Sequence, residues 1–537
     1  MPSLLFAALL LPHGSAATAA DAGPRVPTFV DEAARAGVKH TYAGDFDYYV
    51  GGGVAVLDCD SDGRPDLYFA GGAEPAALYR NQSKRGGRLR FDQVRAAATD
   101  LDSVTGAYPL DIDSDGQVDL VVLRHGENVL LRGQGGCTFE RANEAWGFDG
   151  GDGWSTAFSA TWEPGQTWPT LAFGDYVDYF DDRNLAHCGP GHLFRPAVGA
   201  DGFAPPTTLE PGRCALSMLF SDWDRSGRRD LRVANDRHYY YNEGGDQLWR
   251  MDPGSAPRLY TDQDGWRPVR IFGMGIAAAD LTGDGYLEYY LTSIGSNRLE
   301  TLESDAAAPV FKDIAFERGI SATTPWLGTT VYPSTSWHPE FDDVNNDGYM
   351  DLYVSKGNVD SVPDNAADDP NELFIGLPDG TFQRAAKQAK VINRARTRGA
   401  ALVDLNADGL LDLVEVNRYE NVSLRRNVGS GKPAKPRAMG HWLAVKPRQA
   451  GPNPDAIGAW IEVRTGKLDT VREVTVGGGH AGGDAGPLHF GLGGRKVAEV
   501  RVTWPDGEQG PWRPVKADRL VVVERGGTGR AQTVAGS

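Results

Sequence analysis

The stretch Asp58–Asp66, DCDSDGRPD, packs four aspartates and one glycine into nine residues. Like charges at that density repel unless something positive lies between them. A hard divalent cation is the natural partner, because calcium takes its ligands from carboxylate, amide and carbonyl oxygens. Alternate positions of a tight loop point inward together, and the glycine after the third ligand permits the positive φ of a sharp turn. Asp58, Asp60, Asp62 and Asp66 are expected to give side-chain oxygens and Arg64 its backbone carbonyl. The opening resembles an EF-hand loop, but an EF-hand lies between helices and ends in a bidentate Glu. Here the flanks, VAVL and LYFA, are short apolar runs that read as strands. Taken alone, the loop reads equally well as an Asp-Gly turn with solvated carboxylates.

The loop is not alone. DIDSDGQVD offers Asp111, Asp113, Asp115 and Asp119 with the carbonyl of Gln117. DWDRSGRRD offers Asp222, Asp224, Ser226 and Asp230 with Arg228, and DLTGDGYLE offers Asp280, Thr282, Asp284 and Glu288 with Tyr286. DVNNDGYMD offers Asp343, Asn345, Asp347 and Asp351 with Tyr349, and DLNADGLLD offers Asp404, Asn406, Asp408 and Asp412 with Leu410. Each precedes an apolar run. The interval from 111 to 222 is about twice the others, which places a further repeat near residue 161, where FSATWEPGQTWPTLAFG keeps the strand–turn–strand outline but only Glu163 among acidic ligands. Seven repeats rich in short strands predict an all-β chain: a seven-bladed β-propeller with one four-stranded blade per repeat over residues 28–430. TFVDEAARAG at Thr28 matches TFQRAAKQAK at Thr381, so the N-terminal strand is expected to close the last blade and remove exposed sheet edges.

The repeat stops in a Lys/Pro-rich linker near Pro433–Met439. From 440 to 525, glycine turns separate alternating strands such as HWLAVKP and VAEVRVTWPDG, which predicts a small β-sandwich or barrel. The formal charge of −18 argues against nucleic acid, whose phosphates need a basic surface. Up to six bound calcium ions would offset most of that charge, so it need not imply a basic partner. Residues 1–20, with LLFAALLL and a run of small residues, read as a signal peptide, although Lys and Arg are missing ahead of the apolar run. Export would suit calcium sites of modest affinity and allow a disulfide between Cys188 and Cys214, which bracket a Gly/Pro-rich loop between the third and fourth blades. Cys59 and Cys137 read equally well as paired or as buried free thiols. No other stretch is long enough to span a membrane as a helix.

The six acidic loops, the GMGIAAADLTGDG and RGAALVDLNADGLLDL runs, and then HWLAV, DAIGAWIEV, FGLGG and WPDG in that order resemble bacterial members of the cartilage acidic protein family. That family joins FG-GAP (VCBS-type) repeats to an ASPIC/UnbV domain. One departure stands out: the segment before FGLGG is GGHAGGDAG, with His480, where relatives carry an aromatic Gly-Tyr-x-Ser-Gln-like sequence. The resemblance implies a secreted, calcium-loaded module that binds an extracellular protein or glycan. Bacterial relatives encoded with biosynthetic genes, including those for enediynes, imply an alternative: an enzyme or pathway accessory acting on a small molecule.

Metal loops that join the first and second strands of each blade would share one face. The opposite face would gather Asp47 in GDFDYYVGGG, Arg237 and His238 in NDRHYYYNEGGD, and His338 in STSWHPEF. Such residues would suit an aromatic-lined small-molecule or sugar site, an acid–base pair or a transition-metal site. They would equally serve as inter-blade packing and local hydrogen bonding.

Overall fold

The computed structural model describes the chain except residues 1–23, 183–185, 237–244, 304–305, 323–333, 360–368, 467, 528–531 and 534–537. The signal-peptide reading, Arg237 and His238 lie outside the described residues.

Seven antiparallel four-stranded sheets form the first domain. The first blade runs Val54–Leu57, Asp66–Phe69, Ala77–Asn81 and Phe91–Val94, in sequence order from the axis outward. The innermost strands of the others are Val104–Leu110, Ser155–Thr161, Ala215–Ser221, Ile276–Ala279, Ser336–Asp342 and Arg396–Val403. Each neighbours the next, and the last neighbours the first, so the sheets close a ring. The outer strand of the final blade comes from the chain's beginning: Phe29–Asp31 pairs antiparallel with Ser423–Asn427, Phe29 opposite Asn427. The inner strands are buried along nearly their whole length, which is why they read as continuous apolar or small-residue runs rather than alternating ones.

The third blade has the expected turn without an acidic cluster but departs from the expected layout beyond it. The turn after Ser155–Thr161 carries no acidic cluster, and Glu163 there accepts from Arg195 Nε at 2.6 Å and from Thr170 Oγ1 at 2.8 Å. The segment between Cys188 and Cys214 is not an inter-blade loop. It contains the blade's two outer strands, Gly191–Phe194 and Thr207–Leu209. Between the second and third strands the chain makes an extra hairpin, Val177–Phe180 with Ala186–Cys188, and the Cys188–Cys214 disulfide pins it to the entry of the fourth blade.

Cys59 and Cys137 are also paired, so neither is a free thiol. The bond ties the first acidic loop to the outer edge of the second blade and closes a span of 78 residues. By loop-closure entropy a span of that size is worth about 4 kcal/mol. Guanidinium unfolding of Cys59→Ser/Cys137→Ser without reductant should show about that loss, and an unchanged midpoint would contradict it.

The second domain is a sandwich. One sheet orders Leu488–Gly493, His441–Arg448, Arg519–Glu524 and Gln532–Thr533, and the other Leu468–Glu473, Trp460–Thr465, Val497–Thr503 and Arg513–Lys516. Leu443, Val445, Ile461, Val463, Phe490 and Val500 fill the space between them.

Candidate metal centres and the filled axis

Each acidic loop joins the first and second strands of its blade, and local hydrogen bonds fix its shape. In the first loop the Asp58 carboxylate accepts from the backbone N–H groups of Asp62 (3.0 Å) and Gly63 (2.9 Å). Asp62 in turn accepts from the N–H of Arg64 at 2.9 Å. The last loop repeats this with Asp404, Asp408, Gly409 and Leu410. The ninth position acts as a clasp. Asp412 accepts from Leu405 N (3.1 Å) and from Asn427 N on the third strand (2.7 Å), and Asp66, Asp119 and Asp351 make the same pair of bonds. The sixth-position glycine has the expected positive φ, +82° at Gly63. The fourth position is left-handed too, at Ser61, Ser114, Arg225, Gly283, Asn346 and Ala407, a constraint the sequence pattern does not display because only one of these is glycine.

These loops hold their carboxylates under electrostatic stress. Oxygens of Asp58, Asp60 and Asp62 lie within 4.8 Å of one another, as do those of Asp111, Asp113 and Asp115. Burial, reinforced by neighbouring carboxylates, pushes Asp66 up to about 7, Asp111 to about 7 and Asp119 to about 8. Asp404 rises to about 7, and Asp343, Asp351 and Asp412 stand well above the ordinary carboxylate range for the same two reasons. At the third position, Asp60 Oδ1 and Asn406 Oδ1 are buried and find no donor among the described residues. Acceptors stranded between carboxylates are what a divalent cation would satisfy, so the donor sets of these loops fit calcium.

The face that carries the loops is covered. The C-terminal domain sits on it: Trp442 lies against Gly409, where a Cβ would collide with the indole. His489 Nε2 meets Asn346 Oδ1 at 2.6 Å, Arg472 reaches Asp342 at 2.9 Å, and the N–H of Asn453 donates to Ser114 Oγ at 3.2 Å.

From this domain the segment Val474–Gly486 enters the propeller axis. Ala160 N donates to Val476 O (3.3 Å), Gly478 N to Met218 O (2.7 Å) and Gly479 N to Ile276 O (2.6 Å). Ala107 N donates to Ala481 O (3.1 Å), and Val56 N to Gly483 O (2.9 Å). At its tip the N–H of His480 donates to His338 Nδ1 at 3.0 Å, which leaves the proton of His338 on Nε2, 3.3 Å from Glu340. His480 itself accepts from Gly51 N and holds the Met274 carbonyl, and burial lowers its pKa to about 3. Trp337 is closed in by His480, 5.1 Å away, and by the Arg398 guanidinium, 4.0 Å above its ring. The small residues of GGGHAGGDAG leave room for the inner strands: a Cβ on Gly53 or Gly106 would overlap the Ala481 carbonyl, and Gly399 lies against Gly53 and the His480 carbonyl.

This placement corrects the reading of His338 as part of an open funnel. It is 6% exposed and anchors the inserted segment. Asp47 does not join it either, since its ionic neighbour is His125, at 3.9 Å. What the opposite face does present is aromatic. Phe46, between Trp154 and Phe180, is 36% exposed, and Tyr179 and Phe180 on the extra hairpin are 54% and 43% exposed.

Fold and loops together define the class: a β-propeller of FG-GAP repeats joined to a C-terminal ASPIC/UnbV domain. A family model described as FG-GAP-like repeat matches residues 58–122 and 343–415, and one described as ASPIC and UnbV matches residues 449–530. Within that class the chain is similar to the cartilage acidic proteins. It is 32% identical over 243 residues to cartilage acidic protein 1 of Xenopus tropicalis, covering 42% of this chain and 34% of that protein. It is 27% identical over 219 residues to the Homo sapiens protein, covering 38% and 30%. The matches thus span about a third of the length of these relatives. Among solved structures, Saccharomyces cerevisiae Sqt1 is similar with a TM-score of 0.41 and 13% identity, covering 75% of this chain and 98% of that one.

Proposed function

We propose that the protein is an exported, calcium-braced interaction module that binds an extracellular protein or glycan through the face opposite its acidic loops. The stranded acceptors and crowded carboxylates of the loops carry the calcium reading. The covered loop face and the filled axis carry the choice of face, because the opposite face keeps an exposed aromatic group in Phe46, Tyr179 and Phe180, and aromatics are favoured anchors in protein and sugar recognition. Two disulfides suit an oxidising compartment, and no helix among the described residues is long and apolar enough to cross a membrane. The relatives' name, cartilage acidic protein, agrees with an acidic extracellular role. An enzyme on this face would have to do without His338, which is buried and committed to the inserted segment.

The test is a screen of the full chain against immobilised glycans and matrix proteins in calcium buffer. Hits should weaken at least about tenfold in Phe46→Ala/Tyr179→Ala/Phe180→Ala, the cost expected of losing anchor residues. Hits that survive the triple variant intact would move the binding surface elsewhere.

A further inference from the structure

The acidic loops are alike in outline but not in charge. Five of them carry a net −3 or −4, whereas DWDRSGRRD in the fourth blade balances three aspartates with three arginines and is neutral. Its fifth position, an aspartate in the other five, is Ser226. The structure shows where the arginines go. Arg228 Nε donates to Asp230 Oδ1 at 2.8 Å, and its Nη2 reaches Asp230 Oδ2 at 3.1 Å and Asp224 Oδ2 at 3.4 Å. Asp230 accepts further bonds from Met251 N (2.9 Å) on Oδ1 and from Trp223 Nε1 and Tyr260 Oη (2.8 Å each) on Oδ2. Both oxygens of the ninth-position carboxylate are therefore saturated. Asp66 and Asp412, by comparison, accept one backbone N–H on each oxygen.

We infer that the fourth-blade loop takes no calcium and that the Arg228 guanidinium is its resident cation. One carboxylate oxygen, Asp222 Oδ1, remains without a donor among the described residues, too few for an ion that needs about six to eight. Arg64, at the same position of the first loop, is a different case. Of the loop's aspartates it touches Asp62 alone, its Nε donates instead to the Asn81 carbonyl at 3.2 Å, and its side chain is 33% exposed against 18% for Arg228. Arg132 approaches Asp113 and Asp115 from a neighbouring strand and is 37% exposed, free to withdraw when an ion enters.

The remaining arginines bind the second domain. Arg225 lies 3.7 Å over Trp460, and Arg229 donates to the carbonyls of Gly458 (2.7 Å) and Pro505 (2.8 Å). The Asp222 N–H donates to Glu473 at 3.2 Å. The loop that forgoes the metal is thus a docking point for the C-terminal domain that does not depend on calcium.

The inference rests on the calcium reading above, and the experiment separates the two. Calcium bound per chain is measured by elemental analysis after equilibrium dialysis of the full chain and two variants. Asp60→Ala should lose one ion and Asp224→Ala none. If both lose one, the Arg228 assignment fails while the calcium reading stands; if Asp60→Ala loses none, the calcium reading fails instead. A second measurement needs no metal: in excess chelator, Arg228→Met should melt several degrees below wild type, because it removes the cation that balances the charges of Asp224 and Asp230. Unchanged melting of that variant would overturn the assignment by itself.

Discussion

Excess chelator is expected to lower the melting temperature of the full chain by at least ~10 °C, the largest effect of any single treatment. A loop filled at a hundred times its dissociation constant adds about 2.7 kcal/mol to the folded state, so five filled loops add roughly 13 kcal/mol. That is comparable with the whole stability of an ordinary domain, about 5–15 kcal/mol. Unfilled, the loops keep carboxylates such as Asp351 and Asp412 buried beside Asp343 and Asp404, each pair in mutual repulsion. Calcium added back should restore melting, and magnesium should do so poorly because it demands tighter octahedral geometry and dehydrates reluctantly. Calorimetry in chelator, calcium and magnesium measures all three arms. Identical melting in each would remove calcium from the account of this fold.

The second large effect concerns the filled axis. Gly53→Val should expel Val474–Gly486. Gly53 does not have a positive φ, so valine adds no backbone strain there; its Cβ would occupy the place of the Ala481 carbonyl. Overpacking of this kind costs about 1–3 kcal/mol. Expulsion would also strand the backbone partners of the segment on the inner strands, among them Ala107 N, Val56 N and Met218 O. Limited proteolysis in the 429–440 linker should then run at least about tenfold faster, since about 1.4 kcal/mol of seating is a tenfold change in the open population. Gly494→Val is the control: it also lacks a positive φ, nothing lies within 4 Å of its Cβ, and the linker should stay protected. Equal cleavage of the wild-type and Gly53→Val chains would show that the segment does not hold the two domains together.

The difference between these two predictions follows how far apart in sequence the interacting groups lie. The acidic loops are local objects. The Asp58 carboxylate meets N–H groups four and five residues on, and the Asp412 carboxylate reaches back seven residues, so the spacing of D-x-D-x-D-G-x-x-D encodes the geometry almost completely. Strand positions were legible for the same reason, because inner strands and their turns recur at a fixed interval. The likeness of Thr28–Gly37 to the segment at Thr381 extended that legibility to a pairing between the two ends of the propeller, Phe29 with Asn427.

What lay out of reach were contacts with no period. The glycine run around His480 shows as a departure from the family pattern, but its entry into the axis depends on how two separately folded domains meet, and a run without side chains gives no hydrophobic signal. His338 looks catalytic in sequence because a histidine beside Trp337 and Glu340 suits a site; only the approach of the His480 N–H, 142 residues away, makes it an anchor. The Cys59–Cys137 bond closes 78 residues between two blades, and four cysteines permit more than one pairing until the ring brings these two together. Residues close in sequence dictated the acidic loops and most of the strands, since these rest on hydrogen bonds within about ten residues or on a repeated pattern; the outer strands and extra hairpin of the third blade, which lacks the acidic repeat, were not legible. The tertiary structure alone decided which face is covered, what fills the axis and which arginine sits among the aspartates, because those outcomes depend on groups brought together only after the chain has closed its ring.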